Sequence, residues 1–349
     1  METLDFAPAT TTLSAARIME IGMGFWASKT LLTAVKLNVF TELGVSGLTL
    51  AELEDRLDLH PRSSADFFDA LVSLGLLQRE GSGPSAQYRN TPETALYLNR
   101  HIPAYVGGLL EMANDRLYPF WGSLEEGLRT GKPQNEIKRT GKSAFEAIYA
   151  DPAVLEQFLR GMTGAQLGNF MVLANAFDFG RYRSLCDIGG ANATLSICVA
   201  QQHPHLRCLS VDLPPVEPVA TQSVAEAELS HQIQVGSLDF MTQTFPKADV
   251  ITMGNILHDW DTEVKQMLIR KAYNALPENG VLIVIENIID DERRHNAFGL
   301  LMSLNMLIET EGGFDYTHAD FQQWATQAGF RSTTILPLAG PSSAIVAYK

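Results

Sequence analysis

From residue 184 onward, short apolar runs alternate with helical stretches, and this alternation limits what the chain can fold into. The runs are residues 184–188, 208–211, 232–235, 249–253 and 281–286, with a sixth candidate at 343–348. They are short, rich in Val, Ile and Leu and bounded by turn residues, which marks strands buried on both faces. Strands of that kind separated by helices form a parallel sheet covered on both sides. The expected fold class is therefore α/β, with a Rossmann-like sheet that binds its ligands beyond the carboxyl ends of its strands.

At 349 residues the chain is long for one core, and its first third has a different pattern. Apolar residues at helical spacing (Leu31, Leu32, Val35, Val39, Phe40) run to about residue 43. Thr49 and Glu52 then form a capping-box signature, and a second helix covers about 62–74 and ends at Gly75. Segments 76–79 and 87–90 bracket a Gly/Ser/Pro turn, which completes a winged-helix pattern. The expected division is a winged-helix-like domain over 1–105 and an α/β domain over 106–349. Within the latter, 106–177 is helical, with breaks near Pro119, 131–133 and 151–152.

Nucleic acid is an unlikely ligand for this winged helix. The candidate recognition helix carries Asp66 and Asp69 and no base-reading Arg, Lys, Asn or Gln, and the whole chain has a net charge of −14. A dimerisation surface is the better use of the module. The most apolar stretch, 298–308, is too short for a bilayer and carries Ser303 and Asn305. Cys186, Cys198 and Cys208 form no metal or disulfide pattern, and the first twelve residues do not resemble a signal peptide. The expectation is a soluble cytoplasmic protein.

The residues with chemical potential sit at strand ends. Asp187-Ile188-Gly189-Gly190 follows one strand and opens a helix, so backbone can approach a ligand there. Asp212 ends the next strand and could chelate ribose hydroxyls; the alternative is a cap before Pro214-Pro215. No Gly-Lys-Ser/Thr follows the turn, and Ala193 stands at the third-glycine position. A nucleoside cofactor without phosphates, S-adenosylmethionine, is favoured. Asp239 and Phe240 suit an adenine site, although Asp239 could equally cap its loop; Trp260 could cover the base or simply pack.

His258 lies just past the 249–253 strand, and Glu286 ends the strand expected beside it. Imidazole titrates near neutrality, so His258 is a candidate general base, with Glu286 orienting it as an acid does in hydrolase triads. No Ser or Cys occupies a strand-to-helix elbow, so a covalent mechanism has no candidate nucleophile.

With these residues in view, the chain resembles the class I S-adenosylmethionine-dependent O-methyltransferases of the caffeic-acid, hydroxyindole and bacterial natural-product type. The resemblance covers nearly the whole chain. Its most specific parts are Asp187-Ile188-Gly189-Gly190, Val211-Asp212-Leu213-Pro214, Ile256-Leu257-His258-Asp259-Trp260 and Gly312-Gly313-Phe314-Asp315-Tyr316-Thr317. It implies cofactor binding by Gly189, Asp212, Leu213, Asp239, Phe240, Gly254 and Trp260, and catalysis by His258 flanked by Glu286 and Asp315. Phe158, Met162 and Met306 match pocket-lining positions, and Trp121, Asn305 and Glu309 are further pocket candidates, although each could serve the core.

The resemblance also implies a homodimer whose N-terminal helices interlock and help close each other's sites around a small, aromatic acceptor, with no structural metal. Two departures stand out: Ala191 and Ala193 replace glycines of the family's turn, and Asp315 is a methylene shorter than the plant glutamate. Two other uses of the scaffold stay open: metal-assisted C-methylation of a 2-oxo acid through His258, Asp259 and Glu309, and a non-methylating binding protein.

Overall fold

The computed structural model describes residues 13–102, 104–141 and 148–349. The chain divides into two compact units after Tyr105. In the first, helices Ala16–Lys36 and Val39–Leu43 are separated at Asn38, which takes a left-handed φ of 61°. Strand β1 (Leu48–Thr49) leads into helix Leu50–Arg56, and the Thr49/Glu52 capping box is formed. Helix Ser64–Ser73 is followed by β2 (Leu77–Glu80) and β3 (Gln87–Asn90), in a sheet of order β1-β3-β2. Phe68 and Leu71 are fully buried with Phe40, Leu53 and Tyr88, and the Phe68 and Tyr88 rings lie 5.4 Å apart. Asp69 accepts hydrogen bonds from Tyr88 and Arg79 of the hairpin that follows its helix. Ile18, Met19, Ile21, Phe25 and Trp26 leave an apolar surface exposed on the first helix.

The second unit is built on a seven-stranded sheet. Its strands are β4 (Ser184–Ile188), β5 (Arg207–Asp212), β6 (Ile233–Ser237), β7 (Val250–Gly254), β8 (Val281–Glu286), β9 (Ser332–Pro337) and β10 (Ser343–Tyr348). Their order is β6-β5-β4-β7-β8-β10-β9; the first five are mutually parallel, and β10 runs antiparallel to β8 and β9. This is a Rossmann-like α/β sheet. Side chains alternate along each strand. Leu282 and Val284 of β8 face a core with Leu268, Ile269 and Ala272 of helix Thr262–Ala275 and Phe321 and Ala325 of helix His318–Ala328. Val281, Ile283 and Ile285 face the other core, with Leu173 and Ala174 of helix Pro152–Ala176 and Leu195 and Val199 of helix Thr194–Gln202.

The edge strand β9 is absent from the sequence reading, for a physical reason. Its residues Ser332-Thr333-Thr334-Ile335-Leu336-Pro337 are largely exposed, and its proline is compatible only with an edge. Among the described residues, no helix is long and apolar enough to cross a membrane. All three cysteines are free and buried.

The order of strands sets the position of ligands. Beyond β4 the chain winds outward through β5 and β6, and beyond β7 it winds the other way through β8, so the loops after β4 and β7 part at the carboxyl edge. Ile283→Ala removes a fully buried side chain from the central layer, and should cost about 2–5 kcal/mol of stability in denaturant unfolding. Ile335→Ala on exposed β9 should cost under about 1 kcal/mol.

Candidate active site

After β7, Asn255 takes a left-handed φ of 52° and its N–H donates to the Ile285 carbonyl (3.0 Å), which fastens the loop to β8. A single 3-10 turn, Leu257–Asp259, then carries His258 into the protein, where it is 5% exposed. The segment after helix Ala297–Glu309 packs directly on this turn. A Cβ on Gly313 would lie 2.5 Å from the His258 carbonyl oxygen and 2.7 Å from the Asp259 carbonyl carbon, so only glycine permits that approach.

The close approach determines the imidazole's neighbours. Its Nδ1 lies 3.4 Å from Asp315 Oδ1 and its Nε2 lies 3.6 Å from Asp259 Oδ1. Glu286 Oε1 instead accepts the backbone N–H of His258 at 3.1 Å. The sequence reading gave the imidazole to Glu286; in the structure Glu286 fixes the peptide, and Asp315 stands at the ring. The short side chain of Asp315 suffices because Gly313 brings its backbone so near.

Burial would lower the proton affinity of His258, but Asp259, Asp315 and Glu286 outweigh it and raise the imidazole to about 10. Burial raises Asp259 to about 7 against the pull of His258, and it raises Glu286 in the same direction. The Tyr316 hydroxyl is also held well above its ordinary value, by burial and by Glu286.

On the other side of the switch point, Gly189 adopts a φ of +70°, and a Cβ there would meet Ile256 Cδ1 at 2.3 Å. The turn is tied to β5: Gly189 and Gly190 N–H donate to the Val211 carbonyl (2.8 and 3.0 Å), and Ala191 N–H donates to Asp212 Oδ2 (2.9 Å). Ala191 and Ala193 hold left-handed φ values of 49° and 63°, a conformation that costs a non-glycine residue about 1–2 kcal/mol. The glycine-type turn therefore survives both substitutions.

Asp212 also accepts from its neighbour Leu213 N–H (2.7 Å) and from the Tyr149 hydroxyl (3.4 Å). Burial raises its carboxyl, and those donors counter the rise. Gly254 closes β7 against Phe170. Phe240 and Trp260 meet edge to face at 6.0 Å. Asp239 is engaged by its own turn, accepting from Met241 N–H (2.9 Å) and the Thr242 hydroxyl (2.8 Å).

The acceptor-side residues are only partly gathered. Trp121 Nε1 donates to Asn305 Oδ1 at 2.8 Å, which joins two candidates. Arg116, on the π-helical turn Ala113–Leu117, forms a two-pronged pair with Glu136 (2.8 and 2.7 Å) and reaches Glu309 at 3.1 Å. Phe158 lines a small cavity with Met112, Arg116, Ile148 and Gln157; Met162, Met306, Trp121 and Asn305 do not line it. Met306 is buried and Met162 half-buried.

Residues 121–331 match the family model of the O-methyltransferase domain, and residues 19–100 match that of the O-methyltransferase dimerisation domain. The chain is 38% identical over 342 residues to the tetracenomycin polyketide synthesis 8-O-methyl transferase TcmO of Streptomyces glaucescens, covering 98% of this chain and 99% of that one. The chain belongs to the O-methyltransferase family. This O-methyltransferase is also 31% identical over 338 residues to acetylserotonin O-methyltransferase of Bos taurus, covering 95% of the chain and 97% of the relative. The structure of human N-acetylserotonin methyltransferase in complex with SAM superposes with a TM-score of 0.89 at 28% identity, covering 97% of this chain and 99% of that one. The protein is a methyltransferase that uses S-adenosylmethionine.

The residues at the switch point fit that cofactor. Asp212 supplies a carboxylate suited to a ribose diol, Gly189 and Gly190 open the backbone, and no Lys or Arg lies in the turn 189–193 to demand a phosphate. Arg116 and Tyr149 escaped the sequence reading, and Tyr149 precedes the Asp151-Pro152 break with no motif around it.

A Cβ at Gly190 would lie 2.1 Å from Ser210 Oγ and 3.0 Å from Asp187 Oδ2. Gly190→Ala should therefore weaken S-adenosylmethionine binding at least about tenfold by calorimetry, and adding Ser210→Ala should recover part of the loss. Equal affinities for all three proteins would show that the turn does not set cofactor binding.

Proposed function

We propose that this O-methyltransferase methylates a hydroxyl of a small aromatic metabolite, with His258 as the general base. The observation that carries the reading is the imidazole buried between Asp259 and Asp315, on a peptide held by Glu286. Bound S-adenosylmethionine supplies an electrophilic methyl group. Asp212 would hold its ribose, with Leu213 and Gly254 at the same strand ends and Phe240 and Trp260 packing its base. Asp239 accepts two hydrogen bonds within its own turn and keeps acceptor capacity for the adenine amino group. His258 accepts the hydroxyl proton, and Asp315 and Asp259 stabilise the imidazolium that results.

Relatives named for O-methylation of a polyketide and of acetylserotonin support a small hydroxyl acceptor. Phe158, Met162, Met306, Trp121 and Asn305 are the proposed acceptor contacts. Glu309 is paired with Arg116, which argues against its joining His258 and Asp259 as a metal ligand for C-methylation. The exposed apolar face of helix Ala16–Lys36 supports a homodimer.

His258→Ala should lower turnover about 10²–10⁴-fold with cofactor affinity retained; undiminished turnover would leave orientation alone as the mechanism. The base works only when neutral, and its proton is held up to about pH 10 in the ligand-free protein. With a phenol of pKa about 10, kcat/KM should climb about tenfold per pH unit between about 7 and 9. A profile that is flat above about 6.5, the ordinary imidazole value, contradicts the carboxylate-bound base.

A further inference from the structure

Lys265, on helix Thr262–Ala275, is 0% exposed, an unusual state for a lysine. It is nevertheless satisfied, and its contacts lie on the two loops that carry His258 and Asp315. The ammonium donates to the Trp260 carbonyl, on the loop that carries His258. It sits 3.5 Å from the centroid of the Phe314 ring and 5.7 Å from that of Tyr316, the two residues that flank Asp315. The carboxylates that act on it are Glu286, Asp315 and Asp259, the same three that surround His258, and then Asp261.

We propose that Lys265 is a positioning residue of the acceptor site, a buried ammonium that pins the His258 loop to the Asp315 loop and offsets the charge of their carboxylates. The inference rests on the reading of His258 as base. Charge balance gives it content. Asp259, Glu286 and Asp315 supply up to three negative charges, and His258 and Lys265 are the cations set among them. With Lys265 present, His258 can give up its proton without leaving the carboxylates wholly uncompensated. Without Lys265 the imidazole is their only buried counter-charge, so it binds its proton more tightly and is a poorer base. Burial lowers Lys265 itself to about 8, which the four carboxylates resist, so the ammonium persists at neutral pH.

The test uses the full-length protein and needs no knowledge of the natural acceptor. Lys265→Met keeps the length of the side chain and removes the charge; Lys265→Gln removes the charge and keeps a donor for the Trp260 carbonyl. Methyl transfer to a phenol is followed across the neutral to alkaline range in both variants and in the unsubstituted protein, with S-adenosylmethionine binding as the check on folding. At neutral pH, where Lys265 is charged, both variants should transfer about tenfold more slowly, as for an imidazole that holds its proton about one pH unit more tightly. The deficit should close well above pH 8, where Lys265 of the unsubstituted protein has lost its own charge.

No deficit, or a deficit of the same size at every pH in a folded variant, overturns the proposal, since a purely structural lysine would act whether or not it is charged. A deficit in the Met variant alone overturns the charge role and assigns the effect to the lost hydrogen bond. If His258→Ala retains full turnover, the base reading fails by itself, whatever the Lys265 variants show.

Discussion

The site depends on one buried contact, the packing of Gly313 against the backbone of His258 and Asp259. Two loops of the second unit, those after β7 and after helix Ala297–Glu309, meet there backbone to backbone. That meeting puts Asp315 at the imidazole and Phe314 over Lys265. A larger residue at 313 would push the loops apart and separate the acid from the base. The electrostatics follow from the same contact: burial pushes the Asp259 and Glu286 carboxyls toward their neutral form, and the His258 beside them opposes that push.

The sheet supplies the rigidity that such a cluster needs. His258 and Glu286 sit at the ends of adjacent parallel strands, β7 and β8, whose side chains are buried on both faces. The N–H of His258 and the Glu286 carboxylate therefore meet in a framework fixed by strand register. The cofactor turn at β4 is held differently. Its glycines lie against Ile256 and Ser210, and Ala191 and Ala193 accept left-handed backbone at a cost that the bonds to Val211 and Asp212 offset. Ile256 touches Gly189 and is two residues from His258, so cofactor turn and base share one packed wall.

Much of this was legible in the sequence, because the strands that position the site are buried on both faces and read as continuous apolar runs. β4, β5, β7 and β8 were legible together with Asp212, His258 and Glu286 at or just past their ends. The edge strand β9 was not, since an exposed strand with a proline lacks that pattern. Partnerships across loops were the other gap. Glu286 is expected at the imidazole and holds the peptide instead; Asp315, a methylene shorter than the plant glutamate, stands nearest the ring. Lys265 carried no signal at all, because a helical lysine is presumed exposed until tertiary packing buries it. The acceptor contacts were the least legible, coming from separate helices whose side chains could equally be core.

The central claim is that His258 takes the acceptor's proton. Single-turnover methyl transfer to a series of phenols of graded acidity, in the unsubstituted protein and in His258→Ala at one pH, tests it most directly. The account predicts a large deficit for phenols that are un-ionised at that pH, shrinking toward none for those already ionised in solution. A deficit of the same size for every phenol would mean that His258 positions the acceptor without taking its proton.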